Sequence, residues 1–201
     1  MRLKSLERLR TWLGRHAPLK LVIVTTFIGL FVGVAGMLGS TAGVAWTNTE
    51  TFCIGCHEMK NNVYAEYKGT IHDSNRSGVR ATCSDCHVPR EFGPKMVRKV
   101  HATWELYGAI IGKINTKEKF EKHRYEMAKR VWLDMKATDS RECRNCHSRE
   151  GMSKDLQSAK AQSRHTQGVA EGKTCVDCHF GIAHKEPDGP GPQELSVART
   201  K

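Results

Sequence analysis

The chain has 201 residues, of which 39% are hydrophobic and 26% charged, and its formal net charge is +11. This length leaves room for one modest domain and a membrane element. The positive charge is uneven, because residues 1–20 hold six Lys or Arg and one Glu, a net +5 that leaves +6 for the rest.

Residues 21–46 are predicted to form a transmembrane helix. No charged side chain occurs between Leu21 and Thr49, and the apolar run is long enough as a helix to cross about 30 Å of hydrocarbon. The basic segment 1–20 precedes it, which predicts a cytoplasmic N-terminus. A cleaved signal peptide is the alternative, since Gly43-Val44-Ala45 suits processing, but the run exceeds the usual signal core of about 7–15 residues.

Glycines punctuate this span, and two pairs of them are four residues apart, the spacing at which membrane helices pack closely. They are Gly29, Gly33, Gly36, Gly39 and Gly43. The pattern allows a homodimer, although glycine is also common in membrane helices generally.

Four Cys-X-X-Cys-His pentads follow, and they contain every cysteine of the chain. Their cysteines are Cys53 and Cys56, Cys83 and Cys86, Cys143 and Cys146, and Cys175 and Cys178; their histidines are His57, His87, His147 and His179. Two thiols at this spacing can form thioethers to both vinyl groups of one haem, and the adjoining imidazole can reach the iron. The pentads predict four covalently bound c-type haems. Disulfides or structural zinc would leave the repeated histidine unexplained.

The region that carries the pentads, residues 47–185, is small for four haems, so much of its core is predicted to be cofactor. Eight haem propionates would offset the +6 charge of residues 21–201, and the basic composition therefore does not indicate a nucleic-acid partner. Because c-type haem is attached outside the bacterial cytoplasm, where thiols can be oxidised, the cofactor agrees with the predicted orientation.

The pentads belong to an internal duplication. Successive first cysteines are 30, 60 and 32 residues apart, which predicts two di-haem repeats at about residues 50–90 and 140–185. In each repeat a lone histidine, His72 or His165, lies ten or eleven residues before the first cysteine of a Thr-Cys-X-Asp-Cys-His stretch. Low-spin haems need a second axial ligand, usually histidine or methionine, and the repetition indicates that these histidines supply it.

The remaining candidate ligands are less symmetrical. His184 closely follows the fourth pentad, and Met59, two residues after His57, is a candidate at the first haem, where His57 is the alternative. The segment 119–135 has a helical pattern, and His123 lies on its apolar face as a ligand or as a residue packed on a haem edge. His101 is interpreted as structural.

Several stretches together carry a family resemblance. They are Cys56-His57-Glu58-Met59, Asn75-Arg76-Ser77-Gly78-Val79-Arg80-Ala81-Thr82-Cys83, Glu105-Leu106-Tyr107-Gly108, Glu142-Cys143-Arg144-Asn145-Cys146-His147 and Gly181-Ile182-Ala183-His184. With the basic N-terminus, the single span and the pentad spacings, the chain resembles, over nearly its whole length, the NapC/NirT group of membrane-anchored tetrahaem quinol dehydrogenases.

The resemblance implies a mainly α protein in the bacterial inner membrane, with a periplasmic haem domain that oxidises ubiquinol or menaquinol. It implies that the first haem lies nearest the membrane, with Met59 as a ligand, and that Lys99 and Glu105 belong to the quinol site. Lys99 would then polarise the quinol oxygen, with Arg98 as a nearby substitute, and Glu105 would accept a proton. The alternative for the segment that contains Lys99 and Glu105 is a basic helix that contacts lipid phosphates.

The electron acceptor implied by the resemblance is periplasmic nitrate reductase or its di-haem cytochrome subunit, and periplasmic nitrite reductase is the alternative. A terminal multihaem reductase, a soluble shuttle and a mainly structural anchor are the competing classes of function. Residues 186–201, rich in Pro and Gly, are predicted to be a flexible tail.

Overall fold

The computed structural model describes residues 2–197, and within them the regular structure is helical, with no β-strand. This confirms the predicted mainly α fold. The chain divides into two compact units, with the boundary between Thr47 and Asn48.

The first unit is one long helix, α1, which runs from Arg2 to Trp46. Its last 29 residues, Pro18–Trp46, contain an 18-residue window with a mean hydropathy of 2.4 and are long and apolar enough to cross a membrane. The predicted span 21–46 lies inside this stretch, and the basic residues before it continue the same helix, which has Pro18 in its interior. The chain therefore carries one candidate membrane-spanning helix near its N-terminus.

The second unit contains two long helices and a set of short ones. The long helices are α5 (Phe92–Ile110) and α6 (Lys117–Ala137). The short elements are α2 (Glu50–Cys53), a π-helical segment (Met59–Tyr64), α3 (Ala65–Tyr67), α4 (Cys83–His87), α7 (Arg141–Arg144), α8 (Ala159–Ala170) and two 3-10 turns (Cys175–Asp177 and Pro192–Glu194). Most of the short elements therefore lie at or beside the pentads.

Helix α6 organises the small apolar core. It begins at Lys117, two residues before the predicted start at 119, and the N-cap Thr116 hydroxyl accepts the Lys119 N–H at 3.3 Å. Phe120 on this helix is only 2% exposed, and Trp132 contacts the Phe180 ring edge-on at 5.9 Å between ring centres. The predicted helical pattern is therefore confirmed.

The segment that follows the last pentad packs against α6. Pro192 is fully buried and its carbonyl accepts a hydrogen bond from Lys136 Nζ at 2.6 Å. Gly189 has φ +139°, and a Cβ atom there would lie 2.6 Å from the Tyr125 ring, so glycine permits this close approach. In the predicted tail these contacts join Gly189 and Pro192 to α6, and residues 198–201 lie outside the described part.

Candidate functional site

The pentads fold into single helical turns that fix where their side chains project. In the third and fourth pentads the His147 and His179 N–H groups donate to the Cys143 and Cys175 carbonyls at 2.9 and 2.8 Å. A four-residue spacing on a helical turn puts the histidine on the same side as the first cysteine. Local backbone structure therefore presents thiol and imidazole together.

The Thr-Cys-X-Asp part of the second and fourth pentads is a capping box. Thr82 N–H donates to Asp85 Oδ2 and Thr174 N–H donates to Asp177 Oδ2, both at 2.8 Å. In each turn the aspartate, three residues after the threonine, therefore binds the backbone of the N-cap residue. Ser140 precedes the third pentad with φ 50°, and its fully buried hydroxyl accepts a backbone N–H of the fourth pentad at 3.1 Å. This hydroxyl joins the third pentad to the fourth.

The four pentads lie beside one another in chain order. Cys53 of the first pentad lies beside Cys83 of the second, and Cys143 of the third lies beside Cys175 of the fourth, while Cys86 of the second pentad interacts electrostatically with the third. Burial raises the pKa of Cys86. None of these eight cysteines forms a disulfide. The attachment sites therefore form a row from the first pentad to the fourth.

Three pentad histidines face a second histidine from elsewhere in the chain. The ring centres are 6.2 Å apart for His72 and His147, 6.2 Å for His87 and His184, and 6.1 Å for His165 and His179. The structure therefore places each of the three lone histidines singled out from the sequence next to the histidine of a different pentad.

These separations suit two imidazoles on opposite faces of one iron. Metal–imidazole bonds are about 2.0–2.1 Å long and a ring centre lies roughly 1.1 Å behind its nitrogen, so two opposed rings have centres about 6.2 Å apart. The planes of the three pairs cross at 84°, 23° and 45°. All three angles are compatible with this arrangement because each ring can rotate about its own bond to the metal.

Burial favours the uncharged form of three of these imidazoles. It lowers the pKa of His87 to about 4, and it also lowers the pKa of His72 and of His184. The facing imidazole lowers the pKa of His72 and of His87 further. Neutral imidazole is the form that binds a metal, so these rings are ready to act as ligands at neutral pH.

Hydrogen bonds orient two of the distal rings. His184 Nδ1 lies 3.1 Å from the Val63 carbonyl, and His165 Nδ1 lies 2.7 Å from Gln157 Oε1. With Nδ1 engaged in this way, Nε2 is directed toward the partner ring, as in most histidines that bind metals.

A buried ion pair, the Glu66–Arg124 clamp, holds the segment that carries His184. Arg124 donates to both Glu66 carboxylate oxygens at 2.7 and 2.9 Å, and the Lys185 N–H donates to the same carboxylate at 3.0 Å. Burial raises the pKa of Glu66, but the hydrogen bonds from Arg124 and Lys185 outweigh it and lower that pKa overall. Sequence reasoning missed this pair, although Arg124 lies on the apolar face of α6, four residues after Phe120.

The first pentad differs from the others because the protein engages both ring nitrogens of its histidine. His57 Nε2 lies 2.9 Å from the Asn115 carbonyl, and Nδ1 lies 3.2 Å from Glu58 Oε2. The side chain of His57 is 65% exposed, whereas that of Glu58 is buried. Met59 begins the π-helical segment directly afterwards.

Helix α5 carries the two residues expected at the quinol site. Lys99 interacts electrostatically with Cys53 of the first pentad, and burial with the nearby Arg98 and Lys95 charges lowers the pKa of Lys99. Glu105 is largely exposed and pairs with Arg98 at 2.9 Å. Because α5 is continuous, the directions of residues 99 and 105 differ by about 120°, and the structure places only Lys99 at the first pentad.

The two surplus histidines lie apart from the pairs. His123 Nδ1 lies 2.8 Å from the Lys119 carbonyl, one turn earlier in α6. His101 is exposed on α5. Neither forms a ring pair of the kind seen at the second, third and fourth pentads within residues 2–197.

The arrangement fits the haem that the pentads predict. An iron held in a porphyrin needs only two protein ligands, and within residues 2–197 imidazoles occur in pairs while no larger cluster of His, Cys, Asp or Glu suits a metal ion. In the same residues the buried apolar side chains other than proline are Tyr67, Phe120, Trp132 and Val176. A core this small agrees with an interior that cofactors complete.

Comparison with known proteins gives a consistent result. The family model described as "NapC/NirT cytochrome c family, N-terminal region" matches residues 16–189. The chain is 55% identical to the denitrification system component NirT of Stutzerimonas stutzeri, over 81% of both chains. It is 52% identical to the cytochrome c-type protein NapC of Escherichia coli K12, over 89% of this chain and 90% of the relative.

A protein of Allochromatium vinosum, whose name describes it as a tetraheme cytochrome c type, is 46% identical over 82% of this chain and 87% of its own. No solved structure matches the chain.

Proposed function

The chain belongs to the NapC/NirT cytochrome c family, a group of membrane-anchored electron-transfer proteins, and on this premise we propose that it oxidises quinol and passes the electrons to a periplasmic reductase. The basic segment before the membrane helix supports a cytoplasmic N-terminus and a periplasmic haem domain in the inner membrane. Either ubiquinol or menaquinol has the chemistry required.

In this proposal each pentad binds one haem through its two cysteines. The histidine pairs supply the axial ligands: His87 with His184 for the second haem, His147 with His72 for the third, and His179 with His165 for the fourth. Their ring separations of 6.1–6.2 Å support these pairs. When bound, a haem accepts and releases one electron at a time. The row of adjacent pentads supports electron transfer from the first site to the last.

Met59 is the proposed ligand at the first haem. His57 is the less suitable residue because a backbone carbonyl and the buried Glu58 carboxylate occupy its two ring nitrogens. A methionine ligand generally gives a haem a higher reduction potential than a second histidine does. The first haem would thus be a good initial electron acceptor.

The position of Lys99 beside the first pentad is the observation that carries the quinol proposal. Its partly buried ammonium group can donate a hydrogen bond to a quinol oxygen and stabilise the negative charge that develops as the proton leaves. Quinol oxidation also releases two protons, and the exposed Glu105 carboxylate, held by Arg98, is the candidate proton acceptor.

The proposed acceptor of the electrons is periplasmic nitrate reductase or its di-haem cytochrome subunit. Glu58, Glu105, His123 and the Glu-Cys-Arg-Asn-Cys-His stretch resemble members of the family that serve this enzyme. Periplasmic nitrite reductase remains the second candidate, and the similarity to the denitrification component NirT favours keeping it.

Quinol oxidation is testable with the full-length holoprotein in detergent. The protein is mixed anaerobically with a short-chain quinol, and haem reduction is followed at the α-band for wild type, Lys99→Gln, Glu105→Gln and the control Lys122→Gln. Lys122 is an exposed lysine of α6, so the control removes the same charge away from the first pentad.

We expect rapid reduction of the wild type and the control, and slow reduction of the two α5 variants, with all four fully reduced by dithionite. Equal rates in all four proteins would refute the site on α5. No reduction of the wild type by either class of quinol would refute quinol oxidation and favour a terminal reductase or a structural anchor.

A further inference from the structure

One face of helix α5 is apolar and exposed. Val97, Val100, Trp104 and Tyr107 follow one another at steps of three or four residues, which places them on one side of a helix. Their exposed fractions are 57%, 61%, 72% and 56%, and Ile110, at the end of the helix, is 75% exposed. Large apolar side chains in a continuous exposed stripe usually mark a surface that contacts something other than water.

Other faces of α5 make the contacts with the haem-binding segments. Arg98 donates to the His87 carbonyl at 3.2 Å, and Lys99 interacts with Cys53. Tyr107 is nine residues beyond Arg98, so at 100° per residue the two side chains point in opposite directions. The apolar stripe is therefore directed away from the contact that Arg98 makes with the second pentad.

The charges and aromatic residues of α5 suit the interface of a phospholipid bilayer. Within residues 92–110, Lys95, Arg98 and Lys99 outnumber the single acidic residue, Glu105, and basic side chains near a membrane attract anionic headgroups. The Trp104 ring contacts the Tyr107 ring edge-on, with ring centres 6.4 Å apart. Tryptophan and tyrosine prefer the headgroup level because one end of each ring system is apolar and the other is polar.

The sequence also keeps this domain close to the bilayer. Only the six residues 47–52 separate the end of the candidate span at Trp46 from the first haem-binding cysteine. A fully extended chain of that length reaches about 20 Å. The first haem-binding cysteine therefore cannot lie further than about this distance from the end of the candidate span.

We propose that α5 is an interfacial helix whose Val97–Val100–Trp104–Tyr107 face lies in the outer headgroup layer of the membrane, with Lys95 beside anionic phosphates. The contact gives the domain a second attachment to the bilayer in addition to the span. This contact requires no electron transfer, so its test is independent of the test of quinol oxidation.

The test uses full-length holoprotein in nanodiscs of phosphatidylethanolamine and phosphatidylglycerol that contain a small fraction of phospholipid with a diazirine near the top of its acyl chain. After illumination, lipid adducts are mapped by peptide mass spectrometry. We expect adducts on residues 92–111 as well as on the span. Leu156 is the internal control, because it is apolar and 90% exposed but lies outside α5; peptides around it should carry no adducts.

Variants make the assignment specific. Val100→Ser with Trp104→Ser should lose most of the α5 adducts while span labelling and the haem spectrum stay unchanged, and Leu156→Ser should leave α5 labelling as in the wild type. Adducts on the span alone, or equal labelling around Leu156, would overturn the proposal. So would chemical crosslinks that join α5 of one copy to α5 of another in the same discs, because a second copy would then cover the apolar face.

Discussion

Replacing Glu66 by glutamine should loosen the segment that carries His184. The variant keeps the shape of the side chain but removes the charge that binds Arg124 through hydrogen bonds of 2.7 and 2.9 Å. It also weakens the acceptor for the Lys185 N–H, the residue next to His184. Because both partners of the ion pair are only 10–13% exposed, water cannot replace the lost contacts fully.

The magnitude follows from the hydrogen bonds that change. A hydrogen bond to a charged group contributes about 1.5–3 kcal/mol, and Arg124 loses two of them. It keeps two bonds to Glu121, at 2.7 and 2.9 Å, which offset part of the loss. We expect a net weakening of about 2 kcal/mol, which corresponds to roughly a 30-fold shift toward displaced His184 because 1.4 kcal/mol is a factor of ten.

Carbon monoxide reports this displacement, since it binds a ferrous haem only when one axial position is open. The reduced holoprotein is titrated with carbon monoxide and followed in the Soret band. Glu66→Gln should make one more haem reactive, at a carbon monoxide concentration about 30-fold lower than in the wild type. Glu121→Gln is the matched control, because it also removes a carboxylate that binds Arg124. Unlike Glu66, however, Glu121 does not accept the Lys185 N–H. Identical titrations of Glu66→Gln and wild type, or an equal shift in both variants, would refute the reasoning.

Three further results are expected. The nearly perpendicular rings of His72 and His147, at 84°, should give the oxidised protein a highly anisotropic low-spin EPR signal that His72→Met abolishes; purely rhombic signals would contradict the proposed pair. A backbone N–H and two basic side chains lower the pKa of Asp73, so its stabilising contribution is complete above about pH 4 and lost in acid. Asp73→Asn should accordingly lower Tm more at pH 7 than near pH 2, and a pH-independent effect would argue against this. Lys136→Met breaks a buried ion pair and should lower Tm by roughly 6–12 °C, whereas the exposed Lys122→Met should not.

The sequence predicted those features that depend on residues close together in the chain. The pentads, the lone histidines His72 and His165, and the helical pattern of 119–135 each depend on residues close together in the chain, and the Thr-Cys-X-Asp repeat proved to be a capping box. The apolar run before Trp46 likewise identifies the candidate span, because it depends only on composition and length.

The pairing of the histidines could not be predicted because the duplication does not govern it. His72 and His165 occupy equivalent positions in the two repeats, yet His165 faces the pentad of its own repeat while His72 faces His147 of the other. Which rings meet depends on how the repeats pack. The same reason explains the missed clamp and the buried Pro192, since both arise from contacts between segments that are far apart in sequence.

Two of the histidine pairs join distant parts of the chain. His72 and His147 are 75 residues apart, and His87 and His184 are 97 residues apart. In the proposed ligation each iron would therefore act as a reversible crosslink that closes a long loop. By analogy with disulfides, a loop of about this size removes roughly 4–5 kcal/mol of conformational entropy from the unfolded chain. The cofactors that conduct electrons would then also protect a domain with a small apolar core against proteases in the periplasm.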